Sequence, residues 1–375
     1  MALRLFDSAT SGVRPFEAPP VVRMYTCGIT PYDATHIGHA ATFLAFDVLY
    51  RHLLDSGYEV RFVRNVTDVD DSLLARAREL GIHYLDLAAG GLAQFDADLA
   101  ALGLLPPTSE PRATSAIGEI RRVIGSLLDQ GLAYATDDGW VYFAATEAPT
   151  FGELSGLDRE HMLEIGRERG ELVDPPGRRH PLDTVLWQPS EDDEPVWEAR
   201  WGDGRPGWHV ECTSLALSEL GAPIDLHGGG SDLLHPHHEY ERAQADAVVG
   251  GRFVRHWMHV GMVTSGGEKM AKSAGNLVFV GDLLERWPGP AIRLAVLDHH
   301  YRSTWEWRAD APAAAAQRLE TWWTGERSGV LDPAVVRRHL DDDLDVPGAL
   351  AAIDEAAAAG FDVTSAAERV GFTPP

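Results

Sequence analysis

Cysteine and lysine are the residues this 375-residue chain almost does without. Two cysteines, Cys27 and Cys212, are too few for a disulfide framework, so the cysteine count points to a reducing compartment, the cytoplasm. Bases are scarce as a class: 32 Lys and Arg face 57 Asp and Glu, a formal charge of −25. Such a field repels nucleic acid, and no basic stripe suited to a tRNA backbone is visible, so tRNA is not an expected partner. No apolar run reaches the roughly 18 residues of a membrane helix. The first 20 residues, MALRLFDSATSGVRPFEAPP, hold no apolar stretch of the secretory type. With 45% hydrophobic and 24% charged residues, wholesale disorder is excluded and a folded core is expected.

What is present stands out against that background. Lysine occurs only at Lys269 and Lys272, three positions apart in SGGEKMAKSAGN, although arginine replaces it everywhere else. A compact ammonium on a flexible stem does at a crowded phosphate what a planar guanidinium does not. Glycines beside the two lysines suit a flap that closes on a polyphosphate.

The hydrophobic pattern predicts a strand at Val21–Thr26, a helix after His39 ending near Gly57, and a second strand from Glu59. Strand, helix and strand at that spacing make a βαβ unit and therefore a parallel sheet. Residues 70–135 read as mainly helical. The polar, Gly-, Pro- and Arg-rich stretch within 136–205 reads as an insertion between two halves of a sheet. The expected fold is α/β, a doubly wound parallel sheet. Residues 1–84 and 201–260 form its halves, 85–200 the connective insertion, 261–308 the lysine-loop region and 309–375 a C-terminal helical domain. That last part carries 12 acids against 5 arginines.

Chemistry-bearing residues fall in a few segments. His36 and His39 flank Ile-Gly in THIGH, at a strand end where a helix begins. A helix N-terminus offers free N–H groups and positive potential to a phosphate, and imidazoles there can stabilise charge building on an α-phosphate. Cys27, Cys212, His237 and Glu241 make a plausible zinc set. His237 and Glu241 share a helix face at i and i+4, which favours His237 over its rival His238. Asp68, Asp70 and Asp71 suggest a Mg²⁺ cluster, but a solvated helix start explains them better.

The pairing of HIGH with KM-x-KS resembles the two signatures of class I aminoacyl-tRNA synthetases, which implies ATP binding and adenylation of a carboxylate. MYTCG, GWHVEC, DLHGGGSDL, PHHE and KMAKSAGN resemble cysteinyl-tRNA synthetase. CGITPYDATHIGHA, the RERG to DPPGR region and DHHYRSTWEW resemble more closely its shortened relatives, the cysteine ligases of mycothiol biosynthesis. The resemblance spans nearly the whole chain. It implies His36, His39, Lys269 and Lys272 as catalytic residues around ATP with Mg²⁺, and one zinc held by Cys27, Cys212 and His237, with Glu241 matching the synthetase pattern rather than that of the sugar ligases. It implies Gly28, Ile29 and Thr30 beside the adenylate, with Thr42, Asn65, Val66 and Thr67 touching it. Trp208 then walls the amino-acid pocket, Gly230, Ser231 and Asp232 hold the adenosine, and Val263 meets adenine. The expected enzyme is a cytoplasmic monomer joining cysteine to the amine of a glucosaminyl-inositol. Charging of tRNA, or ligation to another amine, stays open: EPRAT (Glu110 to Thr114) is synthetase-like, and Ala271 stands where the signature loop has serine.

Overall fold

The computed structural model describes residues 2–32, 34–168, 175–270 and 275–375. After an N-terminal hairpin, β1 (Arg4–Asp7) and β2 (Gly12–Pro15), the predicted βαβ unit appears as β3 (Val21–Ile29), α1 (Ile37–Asp55) and β4 (Glu59–Val66). α2 (Asp71–Leu80) starts on Asp70, whose carboxylate accepts from the backbone N–H groups of Ser72 and Leu73, and stops at Gly81 in the left-handed region. That arrangement is an acidic N-cap and a glycine C-cap, the helix start expected for Asp70 and Asp71; Asp68 departs from it, being buried and accepting from Thr114 rather than facing solvent. α3 (Tyr84–Ala101), which the sequence reading includes in the 85–200 insertion, packs Phe95 and Leu99 against Ile29 and Phe43.

The insertion itself is built from α4 (Ile117–Asp129), β5 (Ala133–Ala135), β6 (Val141–Phe143), α5 (Arg159–Glu168), β7 (Thr184–Gln188) and β8 (Arg205–Pro206). Its four strands form an antiparallel sheet in the order β5-β6-β7-β8. α4 buries Ile120, Val123, Ile124 and Leu127 with Val141, Phe143 and Trp187 in a core that also takes in Val210, Tyr240 and Ala243 from the returning half of the chain.

The chain then returns to the first sheet through α6 (Trp208–Leu220), β9 (Leu226–Gly230), α7 (Glu239–Val249) and β10 (Trp257–Val260). The order is β10-β9-β3-β4, all parallel. Side chains alternate across the sheet, so the two faces have separate cores. Val22, Met24, Val60 and Phe62 pack with α1, while Tyr25, Val63 and Cys27 pack with Cys212 and Ala216 of α6. A sheet covered on both faces is the doubly wound architecture.

Beyond it lie β11 (Val263–Ser265), β12 (Glu268–Lys269), α8 (Val280–Leu284), α9 (Gly289–Leu297) and β13 (Trp305–Glu306). α10 (Ala311–Trp323), α11 (Ala334–Leu340) and α12 (Val346–Ala358) follow. Leu319, Trp322, Leu350 and Ile353 share one continuous core with Phe46 and Leu49 of α1, so these helices brace the sheet. Among the described residues, no helix is long and apolar enough to cross a membrane.

A buried ion pair fixes this bracing. Arg293 of α9 places Nη2 2.5 Å from Asp47 of α1, and its guanidinium also donates to the carbonyl oxygens of Val370 and Leu102. Removing one partner of a buried pair strands the other charge and costs about 3–5 kcal/mol. Arg293→Met is therefore expected to lower the free energy of unfolding by about that much, read from denaturant titration.

Candidate active site

The carboxyl ends of the parallel strands converge on a cavity of about 590 Å³, the place where open α/β sheets hold their ligands. At the end of β3 the register with β4 slips between Thr26 and Ile29. Such a break re-aims side chains beside active sites, and it turns Cys27 into the cavity. Gly28 is obligatory here: a Cβ would lie 1.7 Å from the Asn65 carbonyl oxygen. Asn65 accepts the Gly28 N–H at 2.9 Å and donates to Thr67 at 3.2 Å, while the Thr67 N–H donates to the Ile29 oxygen.

The cavity is lined by Cys27, Gly28, Ile29, Thr30, His36, His39, Thr42, Asn65, Thr67, Trp208, Cys212, Gly230, Asp232, His237 and Val263. Val66 and Ser231, two residues assigned to the adenylate, do not line it. Val66 lies between Asn65 and Thr67, and the period-2 alternation of a strand sends it into the core, 2% exposed. Ser231 starts the short turn after β9 and leaves Gly230 and Asp232 on the cavity side. A larger groove of about 1010 Å³ runs between α4 and residues 198–203, open to solvent and away from every predicted site residue.

His36 caps α1, its Nδ1 accepting the His39 N–H at 3.3 Å, and the two rings stack 3.6 Å apart. Burial, then the neighbouring His36, pushes His39 down to about 3, so it is neutral at physiological pH. Its Nδ1 is buried without a protein partner. Ile37 N donates to Val278 O and Val280 N to Thr35 O. These two bonds, with an isolated β-bridge between His36 and Phe279, fasten the HIGH turn to the segment that leads into α8 after the lysine loop. Lys272 lies outside the described residues, as does the side chain of Lys269. The Lys269 backbone, in β12, pairs with Thr264 of β11.

The metal set is deeper. Cys27 Sγ lies 3.1 Å from Glu241 Oε1. His237 Nε2 lies 2.9 Å from the same oxygen, outside hydrogen-bonding geometry. Cys27, Cys212, His237 and Glu241 offer ligand atoms all within 4.8 Å of one another, and all four are buried. A second set, Cys27, His227, His238 and Glu241, meets the same distances. Both histidines of the PHHE segment therefore sit at the cluster, on different sides of it. Cys27, Cys212 and His237 face the cavity; Glu241, His227 and His238 do not.

The supporting contacts were not legible in the sequence. His227 Nε2 holds Glu241 Oε2 at 3.0 Å. His209 Nδ1 meets His237 Nδ1 at 2.8 Å, and Trp208 stacks on the His237 ring at 4.1 Å. His238 is tied to His259 at 2.8 Å. The electrostatics are those of converging ligands. Burial raises Glu241, but the His227 and His237 rings outweigh it and hold the carboxyl well below its usual range. The Cys27 contact, against the opposing effect of burial, brings Cys212 down to about 7. Burial lowers His237, yet Glu241 and Cys212 raise it to about 10.

Residues 15–317 match the family model described as tRNA synthetases class I (C) catalytic domain. Among solved structures, Mycobacterium tuberculosis methionyl-tRNA synthetase in complex with methionyl-adenylate is 17% identical. It aligns over 90% of this chain and 82% of its own with a TM-score of 0.62. The Agrobacterium radiobacter K84 agnB2 LeuRS complex is 10% identical and aligns over 94% and 83%, also at 0.62. At such identities these likenesses speak for the fold alone. Fold and family model define a class I synthetase catalytic domain.

Curated relatives narrow this. A protein of Thermobispora bispora is 47% identical over 98% of this chain and 92% of its own. One from Corynebacterium glutamicum is 44% identical over 97% and 94%, and one from Saccharopolyspora erythraea 48% over 94% and 88%. All three are named L-cysteine:1D-myo-inositol 2-amino-2-deoxy-alpha-D-glucopyranoside ligase, and this chain belongs to that family.

Proposed function

We propose that this chain activates L-cysteine with ATP and joins it in amide linkage to the amine of 1D-myo-inositol 2-amino-2-deoxy-alpha-D-glucopyranoside, releasing AMP and diphosphate, a step of mycothiol biosynthesis. The observation that carries the reading is the near-full-length identity to ligases of that name, together with a thiol–imidazole–carboxylate cluster opening onto the cavity at the strand ends.

In the first half-reaction a carboxylate oxygen of cysteine attacks the α-phosphorus of ATP and diphosphate leaves. His36 and His39, at the N-terminus of α1, meet the charge that develops there, together with Lys269 and Lys272. Thr42, Asn65 and Thr67 shape the wall beside the adenylate, Gly230 and Asp232 the adenosine end, and Val263 the adenine. Mg²⁺ accompanies ATP. The converging, buried ligand atoms, all within 4.8 Å of one another, fit a zinc ion held by Cys27, Cys212 and His237, with Glu241 behind. When bound, zinc supplies a thiophilic centre that takes the substrate sulfur as thiolate and discriminates against serine's hydroxyl. The His237 ring, braced by His209 and Trp208, is oriented for that role.

We assign the enzyme to the cytoplasm as a monomer, and its net charge of −25 speaks against tRNA as acceptor. The synthetase-like wording of the EPRAT segment is what speaks for the alternative; its Thr114 donates to Asp68 from both N–H and hydroxyl, a contact internal to the fold. Product analysis separates the two. With cysteine and ATP, the protein is expected to convert the amino sugar to its cysteinyl amide and to leave tRNA uncharged. Charged tRNA without amide reverses the assignment.

A further inference from the structure

A second cavity, about 510 Å³, lies between the start of α6 and the insertion's antiparallel sheet. It adjoins the first and shares Asp70, Ser72 and Trp208 with it. Its wall mixes apolar and polar side chains. Arg205, 6% exposed, is held between Glu194 at 2.6 Å and Asp71 at 2.5 Å, and Gln188 donates to the same Asp71 carboxylate at 3.2 Å. The first cavity is already occupied by the needs of a nucleotide and an amino acid. Among the described residues, the carboxylates lining it are Asp232, at the adenosine end, and Asp70, at the junction. Asp70 caps α2 through Oδ1.

We propose that the amino-sugar acceptor occupies the second cavity, presents its amine at the junction, and gives up a proton to Asp70 as the amide forms. The inference rests on the ligase reading above. A ringed, hydroxyl-rich acceptor suits apolar side chains beside the Arg205–Asp71 pair and the Gln188 amide, and the shared opening lets its nitrogen approach the adenylate carbonyl. The neutral amine forms the C–N bond. The carbonyl carbon's bond to the phosphate oxygen breaks, and AMP leaves with that electron pair. The nitrogen, cationic after attack, loses one proton to the Asp70 carboxylate, which returns it to water. Burial and the Asp71 charge push Asp70 above its ordinary range, which makes it the stronger base.

Asp70→Asn tests this in the full-length enzyme, because asparagine caps a helix as well as aspartate does. Amide formation is expected to fall at least about 100-fold relative to cysteine-dependent ATP–pyrophosphate exchange, the loss typical of a missing proton acceptor. Gln188→Ala is expected to raise KM for the amino sugar more than KM for cysteine. Amide formation in Asp70→Asn at the unsubstituted rate, or its loss in strict parallel with exchange, overturns the proposal. An unsubstituted enzyme that exchanges pyrophosphate but forms no amide overturns the ligase reading instead.

Discussion

Cys212→Ser is expected to lower cysteine-dependent ATP–pyrophosphate exchange by well over 100-fold and to leave the purified protein without stoichiometric zinc. Partners that only orient a metal ligand typically cost about 10–100-fold when removed, and a ligand facing the cavity must cost more. His227→Gln supplies the internal standard. That ring touches Glu241 from behind and does not reach the cavity, so it belongs in the lower range. The pair of variants also decides between the two overlapping sets, because Cys212 and His237 occur in one, His227 and His238 in the other. Zinc and exchange that survive Cys212→Ser but vanish in His238→Asn would move the ion to the second set. Elemental analysis of each variant, beside thermal unfolding to verify the fold, reads the outcome.

His39→Asn is expected to reduce the exchange rate about 10²–10³-fold, the cost of removing one preorganised donor from a developing oxyanion. KM for cysteine should change far less, since the thiol and the phosphate are met at different ends of the cavity. A second readout follows from burial. His39 is held down to about 3 in the folded protein against about 6.5 unfolded. Between those values the unfolded chain binds a proton that the folded one refuses, so this residue makes stability decline as pH falls below about 6.5. Asparagine removes that contribution. The variant should therefore lose less stability than the unsubstituted enzyme between pH 7 and 5, measured by denaturant titration. An unchanged exchange rate sinks the catalytic role; an unchanged acid slope sinks the buried neutral state.

Much of the fold is legible along the chain because its signals are local. The β3–α1–β4 unit is written in apolar periodicity and a Gly-Pro turn. The caps of α2 are Asp70 and Gly81, each readable from its neighbours. α3 was harder: its Ala- and Gly-rich sequence says helix, but not that Phe95 and Leu99 face the catalytic sheet. Val66 lies off the cavity wall because a three-residue motif conceals a two-residue period, which the strand resolves.

By itself, the sequence determined the kind of chemistry. In a chain with two cysteines and two lysines, the survivors mark the positions where a thiolate or a compact ammonium has no substitute, and their spacing from two histidines names the reaction class. Tertiary structure alone decided which groups meet. Cys27 and Cys212 converge because the end of β3 packs directly against α6, and His227 reaches Glu241 because β9 and α7, apart in the chain, meet at the same place. His237 turns its ring to the cavity while adjacent His238 turns toward His259. These are contacts between residues distant in the chain, set by strand order and packing, and no local pattern carries them.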